Sequence, residues 1–291
     1  MVFDCCMFYN ENDLYEIRLN THWNFVDKFI VVEAGQTHTG DEKPFNFDHD
    51  RFKPYAEKIV YVKFDDFQDE INKFPELLDE TSIADRGPSM ETDDWIRDHF
   101  QANYLFKVLQ DQEAQDSDIV YISCLDEILK ETAFNEALDR FKEPGEDFQG
   151  LRPIFGFHYY LYVYKFNLLH KHWNDHVAGM ITEFGNFKKI LPTTIRDHGM
   201  ATHSHIQNAG WHFTFLDDTE GEKVLAKQKS WAHSRDKYPG EKLKYDNLTV
   251  EEALERMFKD YPHTIVPITL ETHPQYVVDN IENLQKFIYK N

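Results

Sequence analysis

Hydrophobic residues along the chain fall into short unbroken runs, separated by stretches in which they recur every three or four positions. Val2 to Phe8 is the first run, closed by Tyr9-Asn10-Glu11-Asn12, and Leu14, Ile17 and Arg18 follow on helical spacing. The order strand, turn, helix is therefore predicted. Phe29-Ile30-Val31-Val32 and Ile59-Val60-Tyr61-Val62 are β-branched runs on either side of the polar stretch from Gly35 to Asp50, and Ile119-Val120-Tyr121-Ile122 is a fourth. Ahead of it, Trp95, Ala102, Leu105 and Leu109 share one helical face. Continuous apolar strands separated by helices predict an α/β fold: a mostly parallel sheet flanked by helices on both faces. Ligands of such sheets bind at the carboxyl ends of the strands. Asn10, Glu11, Glu33 and the Cys124 to Glu127 segment are thus expected to converge on one crevice.

Beyond about residue 150 the texture changes. Phe155 to Phe166 is rich in aromatics, and His158, His170, His172, His176, His198, His203, His205 and His212 crowd the next stretch. Thr249-Val250-Glu251-Glu252 carries a capping-box pattern at the start of a helix, and Val277, Val278, Ile281, Leu284 and Ile288 suggest a final helix. Neither an internal repeat nor a Pro/Gly/Ser linker marks a boundary, so residues 1–291 are expected to form one domain.

Charge narrows the chemistry. Asp and Glu number 52 against 31 Lys and Arg, a net charge of −21, and no basic window stands out. Binding to nucleic acid or to an anionic membrane surface is disfavoured, and an anionic ligand would need placed cations or a metal ion. The three cysteines include the adjacent Cys5 and Cys6, which excludes a disulfide framework and suggests a reducing compartment. No run of about 18 apolar residues and no leader pattern is found, so a soluble, cytoplasmic protein without a membrane span is expected.

The sharpest feature is Ile119 to Glu127, where a buried strand delivers Asp126 and Glu127 to its carboxyl end. Carboxylate oxygens there suit Mg²⁺ or Mn²⁺ shared with a diphosphate leaving group. The competing reading is an acidic start to the Lys130 to Phe141 helix, favoured by the helix dipole. Glu33 ends another strand and could accept hydrogen bonds from a ribose or base. Arg86 and Arg97 are candidate pyrophosphate contacts, since guanidinium forks match phosphate oxygens. His203, His205 and His212 permit a zinc hydrolase reading, although no HExxH or CxxC accompanies them. Cys124 reads as a structural thiol, because burial beside Asp126 would raise its pKa.

Several segments, taken in order, resemble glycosyltransferase family 17, the β-1,4-mannosyl-glycoprotein β-1,4-N-acetylglucosaminyltransferase-like proteins. They are Phe3 to Leu19, Val26 to Ala34 with Thr39-Gly40, Trp95 with Arg97, Ser123 to Ile128, Asn208 to Phe215, and Lys229 to Ser234. The resemblance implies a GT-A-like, Rossmann-related fold, with a nucleotide-sugar-binding half over 1–150 and an acceptor-binding half over 151–291. It implies inverting transfer from a UDP-sugar, N-acetylglucosamine being the family's best-known donor sugar, with xylose or another hexose open, to a hydroxyl of a glycan or glycoprotein. The family's Asp-x-Asp-Glu motif stands here as Cys124-Leu125-Asp126-Glu127, leaving Asp126 as the expected metal ligand and His212 as its partner. Weaker metal dependence is one consequence of the lost first acid.

Inverting displacement requires a base on the sugar face opposite the leaving group, so it should come from the second half of the chain. Glu183, Asp217 and Asp218 are the candidates, with Asp217 preferred because it follows the Gly210 to Phe215 segment. Phe157 to Tyr164, Trp173 and Trp211 could supply sugar-stacking surfaces. A non-catalytic sugar or nucleotide-sugar binding protein derived from a transferase is the alternative, motivated by Cys124. With no N-terminal anchor pattern, the chain is expected to depart from the Golgi-resident, membrane-anchored members of that family and to fit a cytosolic bacterial or viral enzyme.

Overall fold

The structure is a computed structural model that describes residues 1–78, 93–142, 150–172, 176–201, 204–232 and 248–290. The chain begins β1 (Val2–Phe8), α1 (Asn12–His22), β2 (Lys28–Ala34), α2 (His49–Phe52), β3 (Ile59–Phe64), α3 (Phe67–Lys73) and α4 (Asp93–Asp111). It continues through β4 (Ile119–Ile122), β5 (Glu127–Leu129), α5 (Glu131–Phe141), β6 (Phe155–Val163), β7 (Leu168–His170) and β8 (His176–Glu183). The remaining elements are α6 (Pro192–Ala201), β9 (His205–Thr214), α7 (Glu222–Ser230), α8 (Val250–Asp260), β10 (His263–Ile265) and α9 (Gln275–Asp279).

The result is a mixed α/β fold with a large sheet flanked by helices, in the strand order β10-β7-β6-β8-β4-β1-β2-β3. The four strands expected from the apolar runs form its parallel part, β3-β2-β1-β4. Both faces of β1, β2 and β4 are buried, which is why they read as unbroken runs, while β3 is the half-buried edge strand. Phe3, Cys5, Ile30, Val32, Val120 and Ile122 point to one side, against Phe100, Leu105 and Leu109 of α4 and Ile195 of α6. Cys6, Phe8, Phe29 and Val31 point to the other, against Leu14, Tyr15, Ile17 and Leu19 of α1.

Beyond β4 the sheet changes character. β8 runs antiparallel to β4, and β6 antiparallel to β8, while β9 lies parallel along the other edge of β6 and pairs antiparallel with β5. This antiparallel extension carries the aromatic stretch into the core: Phe157, Tyr159 and Tyr162 are buried. Those rings are packing residues rather than stacking surfaces. Gly210 lets β9 approach β5 closely, since a Cβ on it would lie 2.0 Å from the Ile128 carbonyl oxygen. The capping box forms as expected, with Thr249 and Glu252 each bonding the other's backbone. The expected final helix does not run through to Ile288. α9 ends at Asp279, Asn280 turns its side chain back onto the Tyr276 carbonyl, and only a short 3-10 turn follows at Gln285–Phe287. None of the described helices is long and apolar enough to cross a membrane.

Candidate active site

β1, β2 and β4 are parallel and in register, so the segments that follow them emerge at one edge of the sheet. A cavity of about 460 Å³ opens there, lined among others by Glu11, His38, Asp98, Asp126, Glu127 and His212. Glu11 immediately precedes α1, and its carboxylate accepts the backbone N–H groups of Tyr9 and Asn10 at 3.0 and 2.9 Å. The turn after β1 is thereby closed by the residue that faces the cavity.

The segment after β4 is held from beneath by a fully buried guanidinium. Arg18, on α1, donates to the carbonyl oxygens of Cys124, Leu125 and Glu127 at 2.8, 3.2 and 3.0 Å, and to Ser123 Oγ at 2.7 Å. Asp4 of β1 compensates its charge through hydrogen bonds from Nε at 3.1 and 3.0 Å, with Nη2 closer still. His22 joins the cluster, with Nδ1 2.7 Å from Asp4 Oδ2 and Nε2 accepting the Leu129 N–H at 2.9 Å. Burial works to raise the Asp4 carboxyl, but Arg18 and His22 outweigh it and bring it down to about 2. A charged pair with no access to solvent is tolerated only when its donors and acceptors are met, and here they are.

With its backbone pinned, Asp126 presents its carboxylate to the cavity. Oδ2 lies 3.0 Å from Lys227 Nζ of α7, and Oδ1 lies 3.5 Å from His212 Nε2 of β9. Burial opposes ionisation of this carboxyl, yet Lys227 and His212 hold it well below the usual carboxylate range. Glu127 accepts the Cys124 N–H at 2.9 Å and faces Arg196 of α6 at 3.2 Å. The same guanidinium lies 3.0 Å from Cys124 Sγ. Burial pushes the Cys124 thiol up despite Arg196, so the sulfur is a poor nucleophile.

The model of glycosyltransferase family 17 matches residues 1–248. The chain belongs to glycosyltransferase family 17. Among solved structures, the apo form of mouse xyloside xylosyltransferase 1 is similar at 9% identity, covering 71% of this chain and 78% of that chain with a TM-score of 0.30. No curated protein matches the sequence. Family 17 membership identifies a glycosyltransferase.

One ligand atom each from Cys124, Asp126 and Glu127 lies within 4.8 Å of the others, a group that could hold a metal ion. The donor chemistry fits a hard divalent cation, since it is rich in carboxylate oxygen and the thiol is held neutral. Charge agrees. Glu11, Asp98, Asp126 and Glu127 line the cavity against Lys43, Arg196 and Lys227, and Lys43 is committed to Glu33 at 2.7 Å. The cavity thus carries a surplus of acidic over basic side chains among its described lining.

The other expected residues divide sharply. Asn10 lines a smaller hollow beside Asp126 and Lys227. Glu33 does not face the cavity: fully buried, it accepts from Lys43, from the backbone of Asn46 and Phe47, and from the Tyr61 hydroxyl, anchoring the segment after β2. Arg97 turns away to donate to the His38 carbonyl at 3.0 Å, packed beneath Gly40. Arg86, His203 and Trp173 lie outside the described residues, as do the side chains of His176 and His198. Trp211 is buried, its indole N–H donating to the Thr272 carbonyl at 2.7 Å.

None of the three expected bases is presented to the cavity. Asp217 is fully buried and caps α7, accepting the backbone N–H groups of Thr219, Gly221, Lys223 and Val224. Asp218 is engaged by Lys223 and Lys286. Glu183 pairs in register with Ile119, the first residue of β4, and so lies at the far end of the sheet, bound to Arg152 at 3.0 Å. The expected histidine trio does not assemble among the described residues: His205 pairs with His158 at 3.1 Å, while His212 faces Asp126.

Sequence reasoning missed Lys227, Arg196, His38 and Asp98, all of which line the cavity. Lys227 lies two residues before the Lys229 to Ser234 segment that carried part of the resemblance, and that adjacency was a usable signal. Arg196 had none. His38 and Asp98 face each other at 3.3 Å across the ends of β2 and α4, a pairing visible only once the sheet is built.

Proposed function

We propose that the protein transfers a sugar from a UDP-sugar to a hydroxyl of a glycan or glycoprotein with inversion at the anomeric carbon. The observation that carries this reading is Asp126, buried at the carboxyl end of a parallel strand, fixed by Arg18 and facing a large cavity beside Lys227 and Arg196. Parallel α/β sheets bind nucleotides at this edge. The donor diphosphate takes the side of the cavity where Lys227 and Arg196 present ammonium and guanidinium groups. Asp126 and Glu127, with His212, would hold Mn²⁺ or Mg²⁺, which supplies a Lewis acid for the departing diphosphate.

N-acetylglucosamine is the transferred sugar that family resemblance favours, with xylose and other hexoses as alternatives for the same cavity. Because Asp217, Asp218 and Glu183 are committed elsewhere, the base that deprotonates the acceptor is assigned to Asp98, which comes from the first half of the chain rather than from the second half where it was expected. It lines the cavity from α4, outside the Asp126 segment, with His38 beside it. Trp231 and Tyr261 line the same cavity and offer aromatic faces to a sugar ring.

The test is calorimetric titration of UDP and a panel of UDP-sugars, with and without Mn²⁺, followed by transfer assays on the preferred donor. Metal-enhanced binding, lost in Asp126→Ala with the fold intact, is expected. Full binding and turnover in Asp126→Ala would refute the assignment. Donor binding without hydrolysis or transfer under any metal would favour the non-catalytic reading that Cys124 motivates.

A further inference from the structure

The cation nearest the expected metal ligand is the protein's own. Lys227 Nζ sits 3.0 Å from Asp126 Oδ2, where the carboxylate is almost fully buried and the ammonium only partly so. The helix that carries it is fixed at both ends. Asp217 caps its first turn, Val224 is buried, and Gln228, one residue after the lysine, donates to the Ala253 carbonyl at 3.1 Å. The side chain itself is an unbranched stem, with Nζ 5.2 Å from the centroid of the Phe215 ring and, among the described residues, no other carboxylate bonded to it. Arg196 differs, being forked between Cys124 and Glu127. Lys227 gives up a single ion pair when its stem rotates, whereas Arg196 gives up two contacts.

Building on the donor-site reading above, we propose that Lys227 is an internal counter-ion: a divalent cation takes its place on Asp126 while the released ammonium moves to a diphosphate oxygen. Neither half of this exchange is favourable alone. A cation arriving without nucleotide must break a partly buried ion pair and leave the ammonium beside the metal's own charge. A nucleotide arriving without a cation draws the lysine away and strands a buried Asp126 carboxylate in a cavity already rich in acid. Metal and nucleotide therefore bind as a coupled pair, each raising the other's affinity by the same factor.

The probes are Mn²⁺ and UDP, followed by calorimetry and by the electron paramagnetic resonance signal of free Mn²⁺. The wild-type protein is expected to bind Mn²⁺ weakly alone, and at least about tenfold more tightly with UDP present. Lys227→Met removes the resident charge and keeps the stem, so it should bind Mn²⁺ alone at least about tenfold more tightly than wild type, the scale of one charged hydrogen bond. Its gain from UDP should shrink. Lys227→Arg should keep the wild-type pattern. Circular dichroism checks the fold, and Lys227→Gln replaces the Met variant if that one does not fold. A neutral variant that binds Mn²⁺ alone no more tightly than wild type overturns the exchange while leaving the donor site standing. UDP that binds no form, with or without Mn²⁺, removes both.

Discussion

Replacing Arg18 with methionine perturbs the site from behind without touching the cavity. The substitution keeps an unbranched stem of similar reach but deletes every bond the guanidinium makes. Two costs follow. Asp4 is left as a buried carboxylate with only His22 beside it, and breaking a buried pair from one side costs about 3–5 kcal/mol. The Cys124 and Leu125 carbonyls also lose a charged donor, at about 1 kcal/mol or more each. A loss of about 4 kcal/mol or more is expected, a large part of the 5–15 kcal/mol typical of a folded chain. Urea unfolding followed by circular dichroism measures it. The reasoning also fixes a double-mutant result: Asp4→Asn with Arg18→Met removes the stranded charge, so the pair should be at least about 1 kcal/mol more stable than the sum of the single losses implies. An Arg18→Met loss below about 1 kcal/mol, or strict additivity in the double variant, would refute the view that this ion pair holds the strand-end segment in place.

Asp217→Ala removes a helix cap rather than a base, so it should lower unfolding free energy by about 1–2 kcal/mol, and a fall in kcat with stability intact would contradict that assignment. Acidification should destabilise the protein through His273, which is buried against the Phe166 carbonyl at 2.7 Å and pushed by burial down to about 4. Its folded pKa lies below the unfolded value of 6.5, so its contribution is complete above pH 6.5 and is lost as pH falls toward 4. The loss is at most about 3 kcal/mol, and urea midpoints against pH should show a shallower slope over that window in His273→Phe.

The parallel half of the fold was legible because burial on both faces of β1, β2 and β4 makes them largely apolar, and β3 at the edge keeps a β-branched run of its own. Asp126, Glu127 and Glu11 were legible for a related reason, as acidic residues in the segments that directly follow apolar strand runs. Glu33, the penultimate residue of β2, instead serves the loop, since it meets Lys43 and the Asn46 and Phe47 amides rather than the cavity. Strand-end position says that a carboxylate is available and does not say which partner takes it. The antiparallel extension was hidden by its burial: β6 is apolar and aromatic on both sides, so it lacks the alternation that marks a half-exposed antiparallel strand. Lys227 and Arg196 were illegible because an isolated cation on a helix has no local signature. Their importance comes from elements some 70 to 100 residues away in the chain, as the separations of 69 for Arg196 to Glu127 and 101 for Lys227 to Asp126 show.

The bonds from Arg18 to the strand-end segment span 106 to 109 residues of chain. Closing so long a loop costs entropy, which the docking of β1 and α1 against the β4 end must offset. Once formed it has no cheap way to open. Releasing the segment would expose an ion pair at the heart of the sheet, which makes local fraying nearly as costly as unfolding the whole, and the Leu129 amide that His22 accepts should exchange with solvent only through that global route. The backbone that carries Asp126 is thus held as firmly as the core around it.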